Sequence, residues 1–269
     1  LDYSNVLIAF GLTLFAGMAT AIGGALAFFA RRTNTTFLSY SLGFSAGVMI
    51  YISFTEVLGE SDRIISLAYG ESKAAWFTFL AFIGGFFLTA LIDKILPSKE
   101  NPHEVKSIEQ MDINCPKRGK KLLRIGTFTA VALAIHNFPE GIATFMAGMS
   151  DITVGISIAI AIAIHNIPEG IAVSVPVYYA TGSRKKAFMW AALSGLSEPV
   201  GAAFGFLIIS FFHEPVILGF VFAMVAGIMI YISFDELLPA AHKYGKHHTA
   251  IYGLVSGIIL IGISMLLLK

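Results

Sequence analysis

The chain has 269 residues, 56% of them hydrophobic and only 13% charged, and a formal net charge of +1. Soluble domains carry roughly 25% charged residues, so a mean hydropathy of +0.78 excludes an ordinary soluble globule. The charge balance decides no partner by itself, and no nucleic-acid partner is expected.

Eight apolar windows are long enough to cross a hydrocarbon core of roughly 30 Å, which takes about 20 helical residues. They run over approximately 4–29, 36–58, 74–96, 122–149, 152–180, 186–212, 214–239 and 248–268. They predict an all-α integral membrane protein with eight transmembrane helices, a single domain over 1–269. Placement of Lys and Arg sets its orientation. Fifteen of the 18 fall in the alternate connections 31–35, 94–124, 181–186 and 240–247, and the other three are Arg63, Lys73 and Lys269. This positive-inside bias puts both termini outside the cytoplasm and the 97–121 loop inside it.

In chain order, the first span is rich in Gly (Gly11, Gly17, Gly23, Gly24), and small residues let helices approach closely in lipid. Its length and acidic flank (Asp2) fit a true span better than a signal-peptide core. The second span holds SAGVMIYISFTEVL at 45–58, and the seventh holds VAGIMIYISFDELL at 225–238. Five crossings separate the two strings, so they run oppositely through the bilayer. That is the signature of an inverted repeat, helices 1–3 against 6–8 around helices 4 and 5. It sets Glu56 near the outer end of the second helix, with Asp235 and Glu236 near the cytoplasmic end of the seventh. Glu56 and Glu236 fit a pathway role and a plain span boundary equally well. Met49 and its mate Met229 read first as packing residues, with a thioether facing a metal path as the alternative.

The segment 97–121 is the one long polar stretch, expected as a solvated loop. Its His103, Met111 and Cys115 match no closed zinc site, and a lone cysteine forms no internal disulfide. His242, His247 and His248 in HKYGKHH read as solvated. The pairs Gly43/Gly47, Gly201/Gly205 and Gly253/Gly257 predict close helix contacts, within one chain or between two.

The fourth and fifth spans carry AIHNFPEG at 134–141 and AIHNIPEG at 163–170, and Glu198 follows in the sixth. His136 and Glu140 share a helix face, as do His165 and Glu169. Glu140, Glu169 and Glu198 are spaced 29 and 29 residues apart, one crossing and a turn each time, so the three acids return to one depth. Each intramembrane carboxylate costs about 2.5–3.5 kcal/mol on insertion scales, and three together repel. A divalent cation offsets both costs. Nitrogen and oxygen ligands suit zinc or ferrous iron, and Asn137 and Asn166 add carbonyl oxygens on a flank. Seven candidate side chains exceed the needs of one tetrahedral ion, which leaves room for two. Pro139 and Pro168 free the carbonyls of Ile135 and Ile164, while Gly141 and Gly170 let a neighbouring backbone approach. Purely structural use lacks a partner, because no basic residue lies deep in any window.

HNFPEG, HNIPEG and Glu198 within SGLSEPVGA make the chain resemble the Zrt/Irt-like (ZIP) family of divalent-metal transporters, in its bacterial branch. The resemblance covers the whole chain. It implies a carrier rather than an enzyme, taking zinc, ferrous iron or related ions (Mn, Co, Cd) as cargo, with no resident cofactor. It implies uptake across the inner membrane by alternating access, and often a homodimer. The ligands it implies are His136, Asn137, Glu140, His165, Asn166, Glu169 and Glu198. Met49 falls where some relatives place a further metal contact, and Glu56 where they place an entrance residue. Two rivals remain: an intramembrane metal-dependent hydrolase, for which no HExxH motif is present, and a proton or monovalent-cation carrier, which gives no reason for two histidines in phase with the acids.

Overall fold

The computed structural model describes residues 3–26, 35–95, 118–211, 216–244 and 247–268, and among these every regular element is helical. We label eight helical units. They are α1 (Tyr3–Leu26), α2 (Thr35–Ile52, a π turn Ser53–Val57, then Leu58–Tyr69), α3 (Glu71–Ile95), α4 (Arg118–Ser150), α5 (Ile152–Thr181), α6 (Arg184–Gly195 and Ser197–Phe211), α7 (Val216–Ile232, a π turn Ser233–Leu237, then Leu238–Tyr244) and α8 (His247–Leu268). Seven helices among the described residues are long and apolar enough to cross a membrane. The unit left out is α4, which opens on four basic residues and carries His136, Asn137 and Glu140. Large apolar side chains such as Trp76, Phe79, Phe87, Ile259 and Leu266 face outward, as a chain surrounded by hydrocarbon requires. The protein is an integral membrane protein.

Three elements differ from the sequence expectation. The second span continues past residue 58 to Tyr69, because Ser61, Ile64 and Ile65 form a buried stripe and Ser61 Oγ donates to Gly219 O of α7 at 2.7 Å. Gly70 alone, at φ +80°, then turns the chain into α3. The sixth span is interrupted at Leu196. Pro199 has no amide hydrogen to give the carbonyl of Gly195, and Ser197 Oγ caps the Ser194 carbonyl at 2.6 Å. The duplicated strings of α2 and α7 each contain a five-residue π turn, Ser53–Val57 and Ser233–Leu237, a device that re-aims a helix where it occurs.

The turn between α4 and α5 is a single residue, Asp151. Its carboxylate accepts from Thr153 N at 2.7 Å and Val154 N at 3.2 Å. The amides of Val154 and Thr153 hold this exposed carboxyl below the usual aspartate range.

Packing divides the helices into two bundles. In one, α1 lies on α5 and α6, α4 on α5 and α6; in the other, α2 lies on α8 and α3 on α7. The glycine pairs of the sequence sit at these crossings within the chain. Gly43 meets the Ala250 carbonyl and Gly253 the Tyr40 carbonyl, while Gly201 meets the Phe138 carbonyl. Phe145 fills the seam of α1, α4 and α6 between Phe10 and Phe206, at ring-centroid distances of 4.9 and 6.4 Å.

Across the bundles, Ser150 Oγ at the end of α4 donates to Glu60 Oε1 at 2.8 Å. Arg63 also donates to that carboxylate, at 2.6 and 2.7 Å. The Arg63 side chain is 58% exposed, and exposed pairs contribute about 0–1 kcal/mol. Arg63→Ala is therefore expected to leave the melting temperature of the detergent-solubilised chain within about 4 °C of native, measured by tryptophan fluorescence.

Candidate metal site

Glu140, His165 and Glu169 come together although they lie on two helices. One ligand atom from each lies within 4.8 Å of the others, and all three residues are fully buried. His165 Nε2 and Glu140 Oε1 are 3.0 Å apart. The local reason is the register of α4 against α5, set by the one-residue turn at Asp151. Counted from Asp151, His136–Glu140 lie 15 to 11 residues back along α4 and His165–Glu169 lie 14 to 18 residues on along α5, so the two HNxPEG segments overlap in level near their histidines. Both helices run on through Pro139 and Pro168.

The close approach of backbones depends on the glycine that ends each motif. A Cβ at Gly141 would overlap the Glu198 carbonyl of α6, and one at Gly170 would overlap the Thr20 carbonyl of α1. These contacts bring α6 and α1 against the site. Glu198 is fully buried in the first turn of Ser197–Phe211. The break at Leu196 thus gives it a helix N-terminus, whose partial positive charge stabilises a carboxylate by about 0.3–1 kcal/mol, and up to about 2 kcal/mol when partly buried.

Asn166 Nδ2 donates to Glu198 Oε1 and to the Ala16 carbonyl of α1 at 2.9 Å. Asn137 Nδ2 points to the Ser194 carbonyl of α6 at 3.5 Å. With their amide nitrogens so engaged, the buried oxygens Asn137 Oδ1, Asn166 Oδ1 and Glu198 Oε2 make no hydrogen bond among the described residues. Oxygens of this kind, in a buried site, are ready acceptors for a cation. The arrangement is therefore two adjoining groups, Glu140–His165–Glu169 and Asn166–Glu198, joined through the consecutive residues His165 and Asn166.

His136 belongs to α4, but its side chain lies outside the described residues. So does the whole 97–117 segment with His103, Met111 and Cys115, and so does the His247 side chain. Met49 and Met229 are buried together in one apolar cluster with Leu42, Ala46, Ala143 and Val225. Glu56, Asp235 and Glu236 lie in the two π turns, with Asp235 exposed and both glutamates half-buried. The structure does not bring them into the Glu140–His165–Glu169 group. His248 is exposed and stacks on Tyr252 at a centroid distance of 6.2 Å.

One contact was not anticipated. Ser45 of α2, fully buried, donates to Glu169 Oε1 at 3.3 Å. Its signal in the sequence is the stripe Ser41, Ser45, Met49, Ser53, spaced four residues apart along a largely apolar span.

Residues 100–265 match the family model described as ZIP Zinc transporter. The chain is similar to the protein named Zinc transporter ZupT from Nitratidesulfovibrio vulgaris, 54% identical with 99% of each chain covered. It is likewise similar to the proteins of that name from Streptococcus mutans, at 54%, and Lysinibacillus sphaericus, at 56%, each with 98% of both chains covered. The buried His/Glu constellation, the all-helical membrane fold and full-length similarity at this level agree, and the chain belongs to the ZIP zinc transporter family.

Proposed function

We propose that this chain carries divalent metal, zinc foremost, across the cytoplasmic membrane, and that Glu140, His165 and Glu169 hold the ion midway. The convergence of three fully buried ligand side chains in an apolar bundle carries the reading. It is a transporter and not an enzyme. His136, Asn137, Asn166 and Glu198 complete the ligand set, and the oxygens of Asn137, Asn166 and Glu198 offer room for a second ion beside the first. Ferrous iron, manganese, cobalt and cadmium are further cargoes compatible with mixed nitrogen and oxygen ligands. A nitrogen ligand beside Glu140 is what a carboxylate-only carrier of protons or monovalent cations does not need.

In this reading α4 is the eighth crossing, and helices 1–3 and 6–8 form an inverted repeat. Two observations support the repeat. The π turns occupy matching places in the duplicated strings. The glycine crossings also match in pairs, Gly257 and Gly47 between α8 and α2 corresponding to Gly85 and Gly227 between α3 and α7. The excess of basic residues assigns the connection between α3 and α4 to the cytoplasm and both termini to the outside. Metal enters past Glu56 and leaves past Asp235 and Glu236 as the two bundles shift.

The test is uptake of zinc by proteoliposomes holding the purified chain, with each other divalent ion as competitor. Saturable uptake that sodium does not inhibit is the expected result, and indifference to zinc would remove the reading. Protons and metal compete for the same lone pairs, so half-saturation is expected at higher zinc as the external pH is lowered. A half-saturation constant independent of pH would contradict ligation by His and Glu.

A further inference from the structure

We propose that Ser45 is a positioning residue for the transport site, holding the Glu169 carboxylate from the opposite bundle. This rests on the reading of Glu169 as a metal ligand. Among the described residues, several polar contacts of the site stay within one bundle: Asn166 donates to Ala16 and Glu198, Asn137 turns to Ser194, and His165 meets Glu140. The 3.3 Å bond from Ser45 Oγ to Glu169 Oε1 leaves that bundle and reaches α2.

Two comparisons argue against ordinary packing. A buried helical Ser or Thr commonly satisfies its hydroxyl on the carbonyl four residues back, as Thr13, Thr144 and Ser233 do here. Ser45 instead directs its hydrogen to a carboxylate on another helix. The duplicated string supplies the second comparison. Between 45–58 and 225–238 the pairs Met49/Met229 and Ser53/Ser233 are identical, but Ser45 is matched by Val225. Val225 is buried in an apolar cluster with Ala143 of α4. One seam between the bundles is therefore apolar, while its counterpart carries a hydroxyl at the site.

The consequence is that α2 orients a metal-binding oxygen only while the bundles are arranged as here. Any shift of α5 along α2 separates Glu169 from Ser45, so the carboxylate loses this donor as the carrier moves. Ser45 thereby strengthens metal capture in one state and leaves release from the other untouched.

The test uses the full chain in proteoliposomes and compares Ser45→Thr with Ser45→Val, which have nearly the same shape and differ in the hydroxyl. Ser45→Ala is the smaller third variant. The half-saturation constant for zinc is expected to rise about three- to tenfold in the Val and Ala variants. The Thr variant should stay near native, and the maximal rate per folded transporter should change less than about twofold in all three. Equal constants for Thr and Val overturn the proposal. If the branched variants do not fold, a native constant for Ser45→Ala overturns it. Glu169→Ala in the same vesicles separates the two levels. Retained uptake there removes the site reading itself, whereas lost uptake with matching Thr and Val variants removes only the role of Ser45.

Discussion

Vesicles carrying a Glu140→Ala plus Glu169→Ala variant are expected to take up zinc at no more than about one hundredth of the native rate. Replacing mere supporting residues of a metal site costs roughly 10- to 100-fold, and these two are ligands. Both carboxylates are fully buried, one beside His165 at 3.0 Å and the other beneath Ser45. Removing them leaves Glu198 as the one carboxylate of the proposed ligand set, beside imidazole and amide groups, too little charge to draw a hydrated divalent ion out of water. The variant should still fold, since two buried charges without a bound ion are a cost the native chain carries and the alanines do not. Its melting temperature in zinc-free detergent should therefore equal or exceed the native value. Added zinc should raise the native melting temperature and leave that of the variant in place. Native uptake by this double variant would show that the ion passes elsewhere.

Much of this site could be read from residue spacing, because helix geometry converts spacing into position. The intervals between Glu140, Glu169 and Glu198 amount to one crossing and a turn, and the acids of α4 and α5 do converge with His165. Gly141 and Gly170 could be read for the same reason, as the residues where another backbone must come close. What sequence did not reveal depends on contacts between distant segments. The extension of α2 to Tyr69 rests on Ile64, Ile65 and the bond from Ser61 to Gly219, none of which has meaning without α7 in place. The break at Leu196 leaves no mark in hydropathy, which reads one unbroken span over 186–212. The π turns were hidden inside strings whose duplication was plain. Ser45 acquires its role only from α5, whose Glu169 it meets.

Substituting valine at Gly141 or Gly170 is expected to abolish recovery of folded transporter. In lipid there is little apolar driving force between helices, so association rests on close backbone packing. A Cβ at Gly141 would overlap the Glu198 carbonyl, and the neighbouring crossing repeats the contact in reverse, Gly201 against the Phe138 carbonyl. At Gly170 the obstacle is the Thr20 carbonyl, and Gly23 in turn meets the Ile167 carbonyl. Because the obstacle is main chain and not a movable side chain, relief requires the helices to separate along their length. Overpacking of even well-tolerated kinds costs about 1–3 kcal/mol, and here it also dismantles the site. Moving α6 off α4 carries Glu198 away from Glu140, and moving α5 off α1 breaks the Asn166 bond to Ala16. The milder Gly141→Ala should therefore lose zinc affinity even where some folded protein survives. Gly11 and Gly84 supply the contrast, since a Cβ at either meets nothing within 4 Å. Alanine there should be neutral or stabilising by up to about 1 kcal/mol, the difference in helix propensity. Size-exclusion recovery and zinc uptake for alanine at Gly141, Gly170, Gly11 and Gly84 decide the matter. Equal behaviour of all four would mean that the helices of the site do not cross where the glycines permit.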